Sequence, residues 1–302
     1  MRTSDMEFFR YFPVSSRDRQ WGIYVTGVGS THVPPFSRSY PVSMHPAKYM
    51  YTWENGRVLG EYQALYIARG QGHFESRCTG TLVVEPGGVM LLFPGEWHRY
   101  RPSQESGWDE YWVSFGGQHI DHLVKAGFFS PQESMLHTGA DETIQHAYLD
   151  LLDRARTEPI GFQQLNAASV SEILAASLAA VRRRRHGLLG DDVVRKAKAD
   201  MEQRVEGTLA IDKLAASLGL SAEHLRRLFR QHTGMAPYQY YLELKIHRAR
   251  QLLQETDLPI KTIAQTLGFE SPFHFAKAFK QRTDVSPTQW RRGQVQRGRG
   301  PA

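Results

Sequence analysis

The sequence predicts an α+β chain in two parts, a sandwich or barrel of short strands followed by an all-helical C-terminal part. Three observations carry this. Residues 20–118 are rich in Gly, Pro and aromatics set in short β-type runs. The apolar period becomes helical from about residue 141. Residues 211–237 are echoed at 260–287.

The runs "EYQALYIARGQGHFES" (61–76), "TLVVEPGGVMLLFPG" (81–95) and "WDEYWVSFGG" (108–117) read as strands parted by Gly/Pro turns, a spacing typical of sandwiches and barrels. Beyond them, Ile144, Tyr148, Leu151, Leu152 and Ala155 form a helical stripe, with Asp141 as N-cap. Val170, Leu174, Leu178 and Val181 form a second, and Glu158-Pro159-Ile160-Gly161 breaks the two apart. The run Arg182 to Gly187 reads as a solvated linker whose cations suit a helix C-terminus. The domain boundary falls there, giving expected domains 1–185 and 186–302. About seven helices follow: one over roughly 192–206, three more ending near Pro237, a long one over about 238–255, and a set from Ile260 to about Arg292. Pro237 opens the long helix, where proline is tolerated.

A chain of 302 residues that is 41% hydrophobic and 23% charged is long enough and apolar enough for two cored domains, which excludes a disordered chain. Its one cysteine, Cys78, allows no internal disulfide and suits a reducing compartment. No run of about 18 apolar residues and no signal-like N-terminus is present, so the expected location is the cytoplasm, with no membrane partner. Charge is uneven. Residues 1–190 hold 18 Lys/Arg against 19 Asp/Glu, whereas 191–302 hold 19 against 12. That asymmetry points to a polyanion partner for the C-terminal part, or to basic surface that serves solubility.

The repeat separates these. With Glu270 as a single insertion, ten of 27 aligned positions coincide, among them Gly219/Gly268 and Ser221/Ser271. Each Gly ends a short helix in a tight turn and each Ser caps the next helix. Helix, turn and capped second helix is the helix-turn-helix pattern. After Ser221, at about 100° per residue, Leu225, Leu228 and Phe229 share one face while Glu223, Arg226, Arg227 and Arg230 share the other. A recognition helix in a major groove needs that layout. Arg reads guanine through two hydrogen bonds, and Glu accepts from cytosine. The second unit offers Phe273, Lys277 and Lys280, with Phe273 suited to a thymine methyl. His224 and His274 are phosphate contacts or packing residues. The expected base-reading set is Glu223, Arg226, Arg227, Phe273 and Lys277; the expected phosphate set is Arg230, His274, Lys280 and Arg248. The long helix would span roughly 27 Å, enough to set two recognition helices in grooves about 34 Å apart. Its Lys245, Arg248 and Arg250 would hold phosphates or structural ion pairs.

On the motifs "LGLSAEHLRRLFRQHTGMAPYQYYLELKIHRARQLL" and "IKTIAQTLGFESPFHFAKAFKQRTDVSPTQWRR", residues about 190–292 resemble the paired helix-turn-helix domain of AraC/XylS-type transcription regulators. The resemblance places base reading at Glu223, Arg227, Phe273 and Lys277. Phe273 stands where a polar residue is often seen, and Asp284 replaces the usual turn Gly. Through "YIARGQGHFES", "LLFPGEWHRYRP" and "GWDEYWVSFGG", residues about 20–117 resemble the cupin-type sensor barrel of the same family. The resemblance implies a small ligand, often a sugar, inside the barrel. It also implies a homodimer held by the two helices at 141–185, binding of double-stranded operator DNA, activation of a carbohydrate-use operon, and RNA polymerase as a further partner.

A sugar site needs aromatic faces and paired hydrogen-bonding groups in a concave pocket. Arg57, Glu61, Tyr62, Trp97, His98, Glu110, Tyr111 and Trp112 are the candidates, although neighbours on a strand face opposite ways. The aromatic "EFFRYFP" (7–13) is an arm over the pocket or a packed edge. For a metal, His73, Glu75 and His98 are the nearest donors, but the His-x-His pair of cupin enzymes is absent, so no metal and no other cofactor is expected. No nucleophile–base pair is legible, and an enzyme is not expected. Two alternatives stand beside the regulator: a cupin metalloenzyme fused to a DNA-binding domain, and a constitutive DNA binder whose barrel only dimerises.

Overall fold

The computed structural model describes residues 7–37, 40–41, 45–186 and 188–297. The chain divides into two compact units, Met1–Arg185 and His186–Ala302.

Among its described residues the first unit holds ten strands: β1 (Phe8–Tyr11), β2 (Tyr24–Val33), β3 (Arg57–Val58), β4 (Tyr62–Gly70), β5 (Gly72–Ser76), β6 (Gly80–Val84), β7 (Gly88–Leu92), β8 (Trp97–Pro102), β9 (Trp108–Gly116) and β10 (Met135–His137). They form two antiparallel sheets, β1-β2-β9-β4-β7-β10 and β3-β8-β5-β6. Alternation of side chains splits the packing of the six-stranded sheet. Leu65, Ile67, Trp108 and Trp112 point towards the smaller sheet, where Phe74, Tyr100 and Val84 meet them. Tyr62, Ala64, Tyr66, Tyr111, Val113 and Phe115 point away, into a core shared with helices. Both faces of β9 are therefore covered, and all nine of its residues are buried.

Its α-helices among the described residues are α1 (Ser16–Gln20), α2 (Gln118–Lys125), α3 (Glu142–Thr157) and α4 (Phe162–His186). The Asp141 carboxylate caps α3 by accepting from the Thr143 and Ile144 N–H groups, and Glu158, at φ 41°, ends it in the left-handed region. The sequence stripe is the buried one: Ile144, Tyr148, Leu151, Leu152 and Ala155 are all in the core. Helix α4 has the length and mean hydropathy (1.2 over Phe162–Arg184) of a membrane span. Its Ala167, Val170, Ile173 and Leu174 lie in the same core as α3, so it packs as a core helix. The arginine run expected as linker continues α4 instead, and Arg183 pairs with Asp141 at 2.7 Å. Gly187 and the side chains of Arg185 and His186 lie outside the described residues.

The second unit is all-helical among its described residues: α5 (Leu188–Gln203), α6 (Ile211–Ser217), α7 (Ala222–Thr233), α8 (Pro237–Glu255), α9 (Ile260–Thr266), α10 (Pro272–Thr283) and α11 (Pro287–Arg297). Two helices, where the sequence reading had three, lie between α5 and the long α8. Two small cores result. Val194, Ala197, Met201, Leu214, Leu225, Phe229 and Tyr241 form one. Ile246, Ala249, Leu253, Ile263, Phe275 and Phe279 form the other. Helix α8 contributes its first half to one and its second half to the other, which makes it the strut joining them.

Candidate DNA interface and effector pocket

The outward faces of α7 and α10 follow from two copies of one local design. Gly219 (φ 71°) and Gly268 (φ 62°) turn the chain after α6 and α9. The Ser221 and Ser271 hydroxyls then accept from the His224 and His274 N–H groups at 3.2 and 3.1 Å, satisfying donors that a helix start leaves open. Asp284 takes the left-handed position (φ 61°) that Gly234 takes in the first copy. Burial of Leu225, Leu228 and Phe229 on α7, and of Phe275 and Phe279 on α10, turns Glu223, Arg226, Arg227, Arg230, Phe273, Lys277 and Lys280 to the surface.

Their electrostatics are uneven. Among the described residues, Glu223, Arg227, Arg230, Lys277 and Lys280 make no ion pair or side-chain hydrogen bond. Arg226 leans back to Asp212 at 3.4 Å. Phe273 is 74% exposed, which water disfavours for so large an apolar ring. His274 sits 3.1 Å from Glu270, a local pair instead of a free phosphate donor. The expectation of a phosphate contact at Arg248 is corrected, because its guanidinium is held by Glu206 at 2.8 Å and also reaches Gln251. Arg250 lies over the Trp290 ring. The strut's arginines brace the fold.

In the first unit the space between the sheets is bordered by Tyr11, Tyr40, Pro41, His45 and Tyr49 and by Arg57, Gln63, Tyr100, Glu110 and Trp112. About 20 Å³ remains free, room for about one water. Arg57 organises the floor. Its Nε donates to His98 Nε2 at 3.2 Å, and its amino groups donate to Gln63 Oε1 at 3.0 Å, to the Tyr49 carbonyl and to the Tyr100 hydroxyl. Gln63 in turn donates to Ser114 at 3.0 Å. Accepting a hydrogen bond from a guanidinium requires Nε2 of His98 to be unprotonated, and burial, with Arg57 adding to it, pushes its pKa down to about 3. Across the space, Tyr40 donates to Glu110 Oε2 at 2.8 Å. Burial raises the Glu110 pKa to about 7. Trp112 offers a ring next to Tyr11 and His45, with centroids 5.7 and 5.8 Å apart. Glycine on β2 makes this possible: a Cβ at Gly29 would lie 2.5 Å from the Trp112 ring, and one at Gly27 2.7 Å from Tyr11.

Of the eight expected pocket residues, the fold brings Arg57, Glu110 and Trp112 to the space and puts His98 directly behind Arg57. Four are corrected. Tyr62 and Tyr111 face the helices, Tyr62 donating to Asp121 at 2.9 Å and Tyr111 packing by Tyr148, because strand alternation turns them from the interior. Trp97 braces a loop, donating to the Asn55 carbonyl at 2.8 Å. Glu61 accepts from Thr26 at 2.6 Å and from Tyr49, so it anchors the turn that carries Tyr49 without lining the space. Tyr11 comes from the 7–13 segment read as an arm or a packed edge, and it both pairs in β1 and borders the space; Tyr40, His45, Tyr49, Gln63 and Tyr100 were missed. The tyrosines crowded into 40–51 and the alternate glycines of "TGVGST" were the available signals. The donors weighed for a metal do not converge: His73 is exposed, Glu75 is bound by Arg99 at 2.7 Å on the outer face, and His98 lies inside. No cluster of three potential ligands occurs among the described residues.

A small polar pocket in a sheet unit, ahead of two capped helix-turn-helix units with unpaired cations, defines a ligand-responsive, DNA-binding transcription regulator. Residues 49–180 match the family model of the AraC-like ligand binding domain, and residues 214–293 match that of a helix-turn-helix domain. The chain belongs to the AraC family of transcription regulators. It is 28% identical to the MmsAB operon regulatory protein of Pseudomonas aeruginosa, over 80% of this chain and 78% of that one. It is 27% identical to the arabinose operon regulatory protein of Escherichia coli K12, over 74% of this chain and 78% of that one. A crystal structure of a transcriptional regulator with an AraC-type DNA-binding domain, from Chromobacterium violaceum, is 37% identical over 35% of this chain and 95% of that one, with a TM-score of 0.34.

Proposed function

We propose that this regulator is a cytoplasmic homodimer that activates a carbohydrate-use operon when an uncharged sugar enters the pocket of its first unit. The observation that carries the sugar is the state of Arg57. All four of its hydrogen bonds go to protein acceptors, so its donors are already engaged without an anionic ligand. Glu110 and the Trp112 face supply the hydrogen-bonding and stacking surfaces a sugar uses. The arabinose regulator among the relatives supports the same reading. Domains 1–185 and 186–302 would then be sensor with dimerisation element and DNA-binding part. Glu223, Arg226, Arg227, Phe273 and Lys277 read bases, and Arg230 and Lys280 hold phosphates, with RNA polymerase as the downstream partner. The effector works only by binding the DNA-competent and incompetent states unequally.

The test is a thermal-shift screen of mono- and disaccharides, with the matching sugar acids as controls. A raised Tm with a neutral sugar, absent in Trp112→Ala, is the expected result. Response to sugar acids alone would overturn the charge argument. One observation favours a second reading: the space is nearly filled, as in a barrel that serves only to dimerise. If no sugar shifts Tm and DNA binding is ligand-independent, that reading takes over.

A further inference from the structure

Lys245 fits neither pattern of charge described so far. It lies on the α8 strut with 6% of its surface exposed. Among the described residues it has no carboxylate partner and no hydrogen bond, only the Tyr241 and Phe269 rings, 4.7 and 5.2 Å from Nζ to their centroids. Contacts of that kind return less than removing an ammonium from water costs. Burial lowers its pKa to about 8, so the group is still a cation at neutral pH. A methionine would fill the same volume without that cost.

The ammonium lines a cleft of about 290 Å³ between the two helix-turn-helix units. The Thr208 hydroxyl, Tyr238, Glu270 and His274 form its exposed mouth. Glu270 is exposed and pairs with His274 at 3.1 Å. The cleft walls are fixed. The Tyr241 hydroxyl donates to the Arg204 and Gly207 carbonyls, and Gly268 packs so close that a Cβ there would lie 2.1 Å from the Gly207 oxygen. A rigid cleft with an unpaired buried cation suits a small anion.

We propose that this cleft is a phosphate site for the stretch of duplex backbone that crosses between the two major grooves engaged by α7 and α10, with Lys245 as its charge. The proposal rests on the DNA-binding reading and deepens it. The bound phosphate supplies the counter-charge that the folded protein lacks, and the contact is independent of base sequence.

The test uses the full-length chain and a duplex that it selects from a randomised pool. Affinity is measured against salt for wild type, Lys245→Met and Lys245→Arg, alongside Tm. Lys245→Met is expected to lower affinity about fivefold to tenfold on any sequence and to reduce the salt slope by about 0.9, one phosphate's worth. Its Tm should rise, because a buried unpaired charge has gone. Lys245→Arg should restore the slope. An unchanged slope with a lowered Tm would make Lys245 a packing group and overturn the proposal. If the slope is unchanged while millimolar inorganic phosphate raises the Tm of wild type and not of Lys245→Met, the site takes a free anion, and the duplex assignment fails. Failure of the DNA-binding reading looks different, since the wild type itself would then select no duplex.

Discussion

The two units treat charge in opposite ways. In the sheet unit Arg57 and Glu110 face inward and are hydrogen-bonded by the protein itself. In the helical unit Arg227, Arg230, Lys277 and Lys280 face outward and are bonded to nothing within the described chain. A satisfied interior asks a ligand for shape and neutral hydrogen bonds; an unsatisfied exterior asks for a polyanion. The same residue type therefore has different consequences in each place, and Lys245 is the exception that combines burial with lack of a partner.

Removing an arginine from each place is the sharpest way to break the comparison. Arg57→Ala leaves acceptors on His98, Gln63 and Tyr100 without a donor, each costing about 1–3 kcal/mol, so a loss of about 3–5 kcal/mol is expected by chemical denaturation. A loss below about 1 kcal/mol would show that the interior is not organised by that guanidinium. Next is Glu110, whose pKa rises from about 4.5 unfolded to about 7 folded. Protonation thus favours the folded state: the contribution is full below pH 4.5 and lost as pH rises through 7. At about 1.4 kcal/mol per unit this amounts to on the order of 3 kcal/mol. Wild type minus Glu110→Gln stability should fall by that order between pH 4.5 and 8, and a flat difference would contradict a buried, proton-holding carboxyl. Arg227→Ala should leave stability within about 0.5 kcal/mol. It should weaken binding to the selected duplex by about 1–3 kcal/mol and relax preference at one base, whereas a uniform loss on all sequences would reduce Arg227 to a phosphate contact. The smallest effect is expected at Phe273→Ala, below about 1 kcal/mol and confined to a position where thymine is preferred; binding competition with single-base variants checks both.

The helical unit was largely legible because its logic is local. Ser221, Gly219 and the Leu225/Leu228/Phe229 stripe lie within eleven residues, and helical period alone says which side chains share a face. Arg248 was misjudged for the complementary reason. Its partner Glu206 is 42 residues away, so no periodicity could reveal that the cation was already engaged. The sheet unit hid more. Tyr62 and Tyr111 have the right chemistry for a sugar but the wrong parity, and parity is fixed only once β4 and β9 pair with their neighbours. Tyr40 lies outside the strands and Tyr49 ends a single 3-10 turn, Ala47–Tyr49, positions that no periodic signal predicts.

By itself the sequence determined that there is a helix-turn-helix repeat, which faces of its helices are wet, and that basic charge gathers in the last third of the chain. Those properties depend on spacing along the chain and on composition. Only the tertiary structure decided which aromatic and charged groups of the strands face each other, which cations are quenched by distant carboxylates, and that Lys245 lies buried between the two helix-turn-helix units of the helical part. Each of these depends on residues far apart in sequence being brought within a few ångströms, where desolvation and hydrogen bonding, and not residue type, set what a side chain can do.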